Sequence, residues 1–152
     1  MKALAPNIRI YNQQKDLPID KSSVKDLVRS VLKHLRVECR ELGLYFVSET
    51  KICALHQQFF QDPTPTDCIS FPLDNDYLGE IFVCPSVAIA YAKKRGLDPY
   101  TETTLYVVHG LLHLIGLDDL EEKKRRIMRK KERSCMRHLI GLGLLMRPKM
   151  EQ

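Results

Sequence analysis

The sequence predicts an α+β fold: a single domain with a small mixed β-sheet packed by helices. Three observations carry that prediction. Stretches of alternating apolar residues take turns with stretches of three-and-four spacing, so strands and helices are interleaved along the chain. The length of 152 residues, read as one domain over 1–152, is too short for two independent cores. The composition, 44% apolar and 28% charged with 7 Gly and 8 Pro, is that of a folded chain rather than a disordered or collagen-like one.

Asn7 to Asn12 sets Ile8, Ile10 and Asn12 on one face and Arg9 and Tyr11 on the other, the period of a half-buried strand. Asp20 to Arg36 changes to helical spacing, where Val24, Leu27, Val28, Val31, Leu32 and Leu35 make a stripe that must pack on a sheet. Gly43 to Ser48 reads as a second strand. Thr50 is expected to cap a short helix that buries Cys53, Ala54 and Phe60, and the rigid loop Asp62-Pro63-Thr64-Pro65 ends it. Cys68 to Phe71 and Gly79 to Cys84 read as a hairpin turning at Asp74-Asn75-Asp76. Pro85 and Ser86 open a helix that Gly96 closes through a left-handed cap. A fourth helix, from near Thr101, carries Leu105, Val108, Leu112 and Ile115 and is apolar on most sides, which predicts a central buried position. Leu120 to Leu139 is the last helix.

Uncharged stretches such as Thr103 to Leu117 fall short of the roughly 18 apolar residues of a membrane span, and a soluble protein is expected. Met1 to Ile10 lacks a secretory pattern, which predicts a cytoplasmic location. The cysteines at 39, 53, 68, 84 and 135 are odd in number and widely spaced. That suits neither a disulfide framework nor a thiolate zinc site, so reduced, mostly buried thiols are expected.

His109 and His113 stand four apart on the fourth helix, one turn from each other on one face, where both imidazoles can reach a single ion at about 2.0–2.1 Å. Gly116 lets the chain leave the helix through a conformation other residues avoid, so a carboxylate can fold back to the same ion. Asp119 is assigned as the third ligand, and Asp118 is expected to orient a histidine. Three protein ligands leave one position for water, the arrangement of a catalytic zinc site, whose water becomes a hydroxide source near neutral pH. Asp67, after a Pro-Thr loop, either lines the cleft or holds the loop through backbone hydrogen bonds, and no general base is assigned.

The charge is uneven. The chain carries a net +5, yet residues 121–138 alone hold nine Lys or Arg against three Glu. Lys123, Arg126, Lys130, Arg133 and Arg137 advance by three and four along one helical face. A positive strip starting so near the proposed ligands predicts contact with an RNA backbone, without sequence-specific base reading or DNA specificity, and with no membrane role.

His109, Gly110, Leu112, His113, Leu114, Gly116 and Asp118 match the pattern H-G-x-L-H-L-x-G-Y-D-H. Pro65-Thr66-Asp67-Cys68-Ile69-Ser70-Phe71-Pro72 is similar to P-T-D-V-L-S-F-P, Leu78-Gly79-Glu80-Ile81 to L-G-D-I, and Met128 with Glu132 to M-x-x-x-E. In these motifs, which run in order from about Leu55 to Glu132, the chain resembles the YbeY family of bacterial zinc-dependent endoribonucleases. The resemblance implies an α+β fold, one zinc ion (Zn2+), and single-strand-specific cleavage of ribosomal RNA. It further implies maturation of the 16S 3′ end and late-stage ribosome quality control. Two positions depart from the pattern: Asp119 replaces a third histidine, and Phe60 stands where an arginine is common, with His56 at a preceding asparagine place. A missing arginine removes one phosphate clamp, so another cation must serve.

Two other functions share these residues. The spacing H-x-x-x-H-x-x-G-x-x-D also suits a metzincin-like peptidase, although Gly110 replaces that class's general-base glutamate. A non-catalytic ribosome-assembly factor stabilised by its metal is the other.

Overall fold

Hydrophobic periodicity along the chain becomes one sheet with helices on it. The computed structural model describes residues 5–74 and 76–150. The elements are β1 (Asn7–Gln13), α1 (Lys21–His34), β2 (Glu41–Val47), α2 (Glu49–Phe60), β3 (Cys68–Pro72), β4 (Tyr77–Val83), α3 (Pro85–Arg95), α4 (Pro99–Leu114) and α5 (Glu122–Leu142). The sheet runs β1-β2-β4-β3. Its first three strands are parallel, and β3 returns antiparallel to β4 as the expected hairpin. Asn75 of the expected turn lies outside the described residues.

One face of the sheet presents Ile8, Ile10, Leu42, Leu44, Phe46, Ile81 and Val83 to the stripes of α1, α4 and α5, and this is the main core. On the other face Tyr11, Tyr45 and Phe82 stack at centroid separations of 4.7 and 4.6 Å. Phe71 and Phe59 continue this aromatic row edge to face. The rings shield a sheet surface that α2 partly covers, through Ile52 and Leu55 against Val47, Ile69 and Cys84, with Val87 of the following helix at its edge.

The sequence misplaces the burial of α2. Its inward residues are Ile52 and Leu55, while Ala54 and Phe60 are exposed and Cys53 is half-buried. Its cap is Ser48, whose Oγ accepts from the Lys51 N–H at 3.2 Å, rather than Thr50. A left-handed Gln61 (φ 55°) ends it. The five cysteines are free, with Cys84 and Cys135 buried and the other three half-buried.

α4 is the central helix, as expected, although it begins at Pro99, where Asp98 accepts from the Tyr100 and Thr101 N–H groups. It packs against β3, β4, α3 and α5. Its approach to the hairpin depends on Gly110: a Cβ there would lie 2.6 Å from Ile81 Cγ2. Ser70 Oγ donates to the Gly110 carbonyl at 3.0 Å across the same contact. The buried hydroxyls of Thr103 and Thr104 are satisfied by the carbonyls of Pro99 and Tyr100, both at 2.7 Å. α5 lays Met128, Cys135 and Leu139 on this assembly and ends at Gly143 (φ 68°). No helix among the described residues is long and apolar enough to cross a membrane.

Candidate metal centre

The last turn of α4 and the segment after it assemble the donors. His109 and His113 share a helix face, and Gly116 at φ +99° reverses the chain so that Asp119 returns to them. The Nε2 atoms of the two histidines are 2.9 Å apart, and Asp119 Oδ2 is 3.8 Å from His109 Nε2. One ligand atom from each residue lies within 4.8 Å of the other two. Tetrahedral ligands at about 2.0–2.1 Å from an ion would be about 3.3–3.4 Å from each other, so small side-chain adjustments close the set around one cation.

The remaining nitrogens explain the orientation. His109 Nδ1 donates to Glu132 Oε1 at 2.5 Å, and His113 Nδ1 donates to the Leu117 carbonyl at 3.0 Å. With both Nδ1 atoms holding protons, both Nε2 atoms carry lone pairs. Two lone pairs facing each other at 2.9 Å repel unless a proton or a metal ion lies between them, so the residues present fit a cation. Charge agrees. Burial works against the His109 imidazolium, but the Glu132 hydrogen bond and charge, with Asp67 and Asp119 nearby, outweigh it and raise the pKa above the ordinary histidine value. The same negative potential favours a divalent ion.

Asp118 does not orient a histidine. Its carboxylate pairs with Lys124 at 3.4 Å and accepts from the Leu120 N–H at 3.2 Å, which fixes the turn. That role passes to Glu132 and the Leu117 carbonyl. Glu132 was visible in the M-x-x-x-E motif, whereas a main-chain oxygen leaves no mark in a sequence. Asp67 does both things proposed for it: it accepts from the Cys68 N–H at 2.7 Å and lines the cavity that reaches His109.

The strip residues Lys123, Arg126, Lys130, Arg133 and Arg137 are all exposed. At about 100° per residue they lie on the side of α5 away from Met128, Glu132, Cys135 and Leu139. Arg125 and Arg129, outside the predicted strip, turn toward the donors and line the cavity with them. The peptidase alternative meets a steric obstacle. Position 110, the place of its general base, faces Ile81 and Ser70 at the sheet and has no room for a glutamate.

A histidine pair on a central helix, joined by a carboxylate from a glycine turn and set on a mixed four-stranded sheet, defines an α+β protein with a hydrolase-type site able to bind a metal ion. Residues 9–140 match the family described as Endoribonuclease YbeY, and the chain belongs to that family. It is 50% identical over 143 residues to Endoribonuclease YbeY of Protochlamydia amoebophila, covering 90% of this chain and 95% of the relative. It is 36% identical over 146 residues to Endoribonuclease YbeY of Chlamydia caviae, covering 90% and 92%. The solution structure of TM1509 from Thermotoga maritima superposes with a TM-score of 0.65 at 29% identity, covering 88% of this chain and 89% of that one.

Proposed function

We propose that this chain acts as one metallohydrolase domain, a zinc-dependent endoribonuclease cutting single-stranded ribosomal RNA in the cytoplasm. The reading extends to maturation of the 16S 3′ end and late-stage ribosome quality control. His109, His113 and Asp119 hold the ion, and Lys123, Arg126, Lys130, Arg133 and Arg137 hold phosphates flanking the cleaved bond. The observation that carries it is the convergence of two Nε2 lone pairs and a carboxylate, with each Nδ1 proton already committed. Two nitrogens and one carboxylate oxygen are an acceptable zinc donor set, and family membership supports RNA as the substrate.

When bound, zinc supplies Lewis acidity toward a phosphoryl oxygen and a nucleophile at neutral pH. Glu132 keeps the His109 proton on Nδ1, and the Leu117 carbonyl does the same for His113, so neither ring has to reorient. The solvated strip on α5 gathers RNA by charge. Free cysteines are in keeping with a reducing compartment.

Elemental analysis of the purified protein, with RNA and casein digestion with and without chelator, tests this reading. One zinc per chain and chelator-sensitive cleavage of single-stranded RNA, lost in His113→Ala, are expected. Casein cleavage would restore the peptidase reading, and RNA binding without turnover would favour the assembly factor.

A further inference from the structure

Two cavities of about 490 Å³ each meet the donor cluster, and their linings differ in chemistry. The first is reached by His113 and Asp118 and is walled by His56, Phe60 and Ser70. The second is reached by His109 and Asp119 and is walled by Arg125 and Arg129 from α5, with Asp67, Glu102 and Glu132. Thr66 lines both, with His113 at one and the neighbouring His109 at the other.

In the first cavity the aromatic wall is held in place. His56 Nδ1 is fixed on the Thr64 carbonyl at 2.7 Å, and the Phe60 ring lies 5.7 Å from the imidazole. Phe60 is 53% exposed, a large ring left in water on a largely apolar wall that includes Ile69, Pro72 and Leu117. A flat aromatic ligand would cover it, and in RNA only an unpaired base has a free face to offer.

In the second cavity the carboxylates are engaged. Glu132 holds His109, Asp67 accepts from the Cys68 N–H, Asp119 completes the donor set, and burial pushes the Glu102 carboxyl up, against its charge. Among the described residues neither Arg125 nor Arg129 has a carboxylate within salt-bridge distance, so two guanidinium groups face this cleft without internal partners. An unpaired guanidinium beside a metal cluster suits a phosphate, which it can bind through two parallel N–H groups.

We infer that an RNA strand crosses the donors with one unpaired base against Phe60 in the first cavity and a neighbouring phosphate against Arg125 and Arg129 in the second. This rests on the endoribonuclease reading. It assigns a base-stacking subsite and an internal phosphate clamp, both distinct from the outward strip.

The test is fluorescence anisotropy of a labelled single-stranded RNA of about eight nucleotides, containing 2-aminopurine, with chelator-treated full-length protein across a salt series. Phe60→Ala is expected to weaken binding about tenfold and abolish the 2-aminopurine quench, while Phe60→Tyr keeps both. The Arg125→Gln/Arg129→Gln pair, which removes the clamp on one phosphate, is expected to reduce the slope of log affinity against log salt by about 0.7. The charge-matched control Lys15→Gln/Lys21→Gln, in neither cavity, leaves that slope at the wild-type value. Circular dichroism confirms folding of each variant. Wild-type affinity and quench in Phe60→Ala, a wild-type slope in the arginine pair, or no binding of the probe by the wild type would each overturn the inference. Absence of cleavage by the metal-loaded wild type would instead defeat the endoribonuclease reading, and the binding series still decides this one.

Discussion

A histidine has two ring nitrogens, and a protein chooses the one left for a cation by occupying the other. Here Glu132 and the Leu117 carbonyl make that choice for His109 and His113. Glu132→Ala is therefore expected to lower zinc affinity about 10–100-fold with the fold intact, read by competition against a chromophoric chelator. Gly110→Ala tests a steric claim instead. Its methyl would meet Ile81 Cγ2, and a stability loss of about 1–3 kcal/mol is expected in urea unfolding. Cys135 gives a pH readout: burial pushes its thiol up to about 11, so its thiolate is scarce at pH 8. Modification by a disulfide reagent should be slow in the native protein, speed up as pH rises, and be fast once the chain is unfolded. At this scale the convergence of His109, His113 and Asp119 was legible, because the three follow a local spacing. Glu132 was legible only as a motif letter, since its partner depends on how two helices cross.

Element by element, the sequence located strands and helices better than their exposed sides. α1 buries Val24, Leu27, Val28, Val31 and Leu32 of the expected stripe, because amphipathic spacing records one buried face. α2 was misread because its apolar residues, Cys53, Phe59 and Phe60 among them, surround the helix without a clean stripe. The start of α4 was placed late although Asp98-Pro99 is a cap followed by a first-turn proline. α5 shows why charge spacing identifies a face without saying what the face meets. Its outward cations form the strip, while Arg125 and Arg129 line the cavity that includes His109 and Asp119. For Lys130→Gln/Arg133→Gln/Arg137→Gln, the salt slope of RNA binding should fall by about 2, with KM raised and kcat near the wild-type value. An unchanged slope would remove the strip from the RNA contact.

In the whole molecule, the strand order β1-β2-β4-β3 was not legible. Periodicity shows that a segment is a strand, while its neighbours follow from long-range packing. Parallel pairing of β2 with both β1 and β4 buries Leu42, Leu44 and Phe46 at the centre. The donors lie where α4 and its following turn meet α5, so a bound ion links these segments in the folded chain and has no such site in the unfolded one. At free zinc about a hundredfold above its dissociation constant, the folded state gains about 2.7 kcal/mol. Calorimetry should then show Tm falling by about 5–10 °C on chelation, and an unchanged Tm would argue against a native-state ion.

The order of these parts along the chain has a temporal result. During translation His109, His113 and Asp119 leave the exit tunnel before Glu132, and the helix that steadies the first imidazole is made after them. A growing polypeptide thus holds its candidate metal donors before it can aim them, and the cluster is complete only once α5 has emerged and packed.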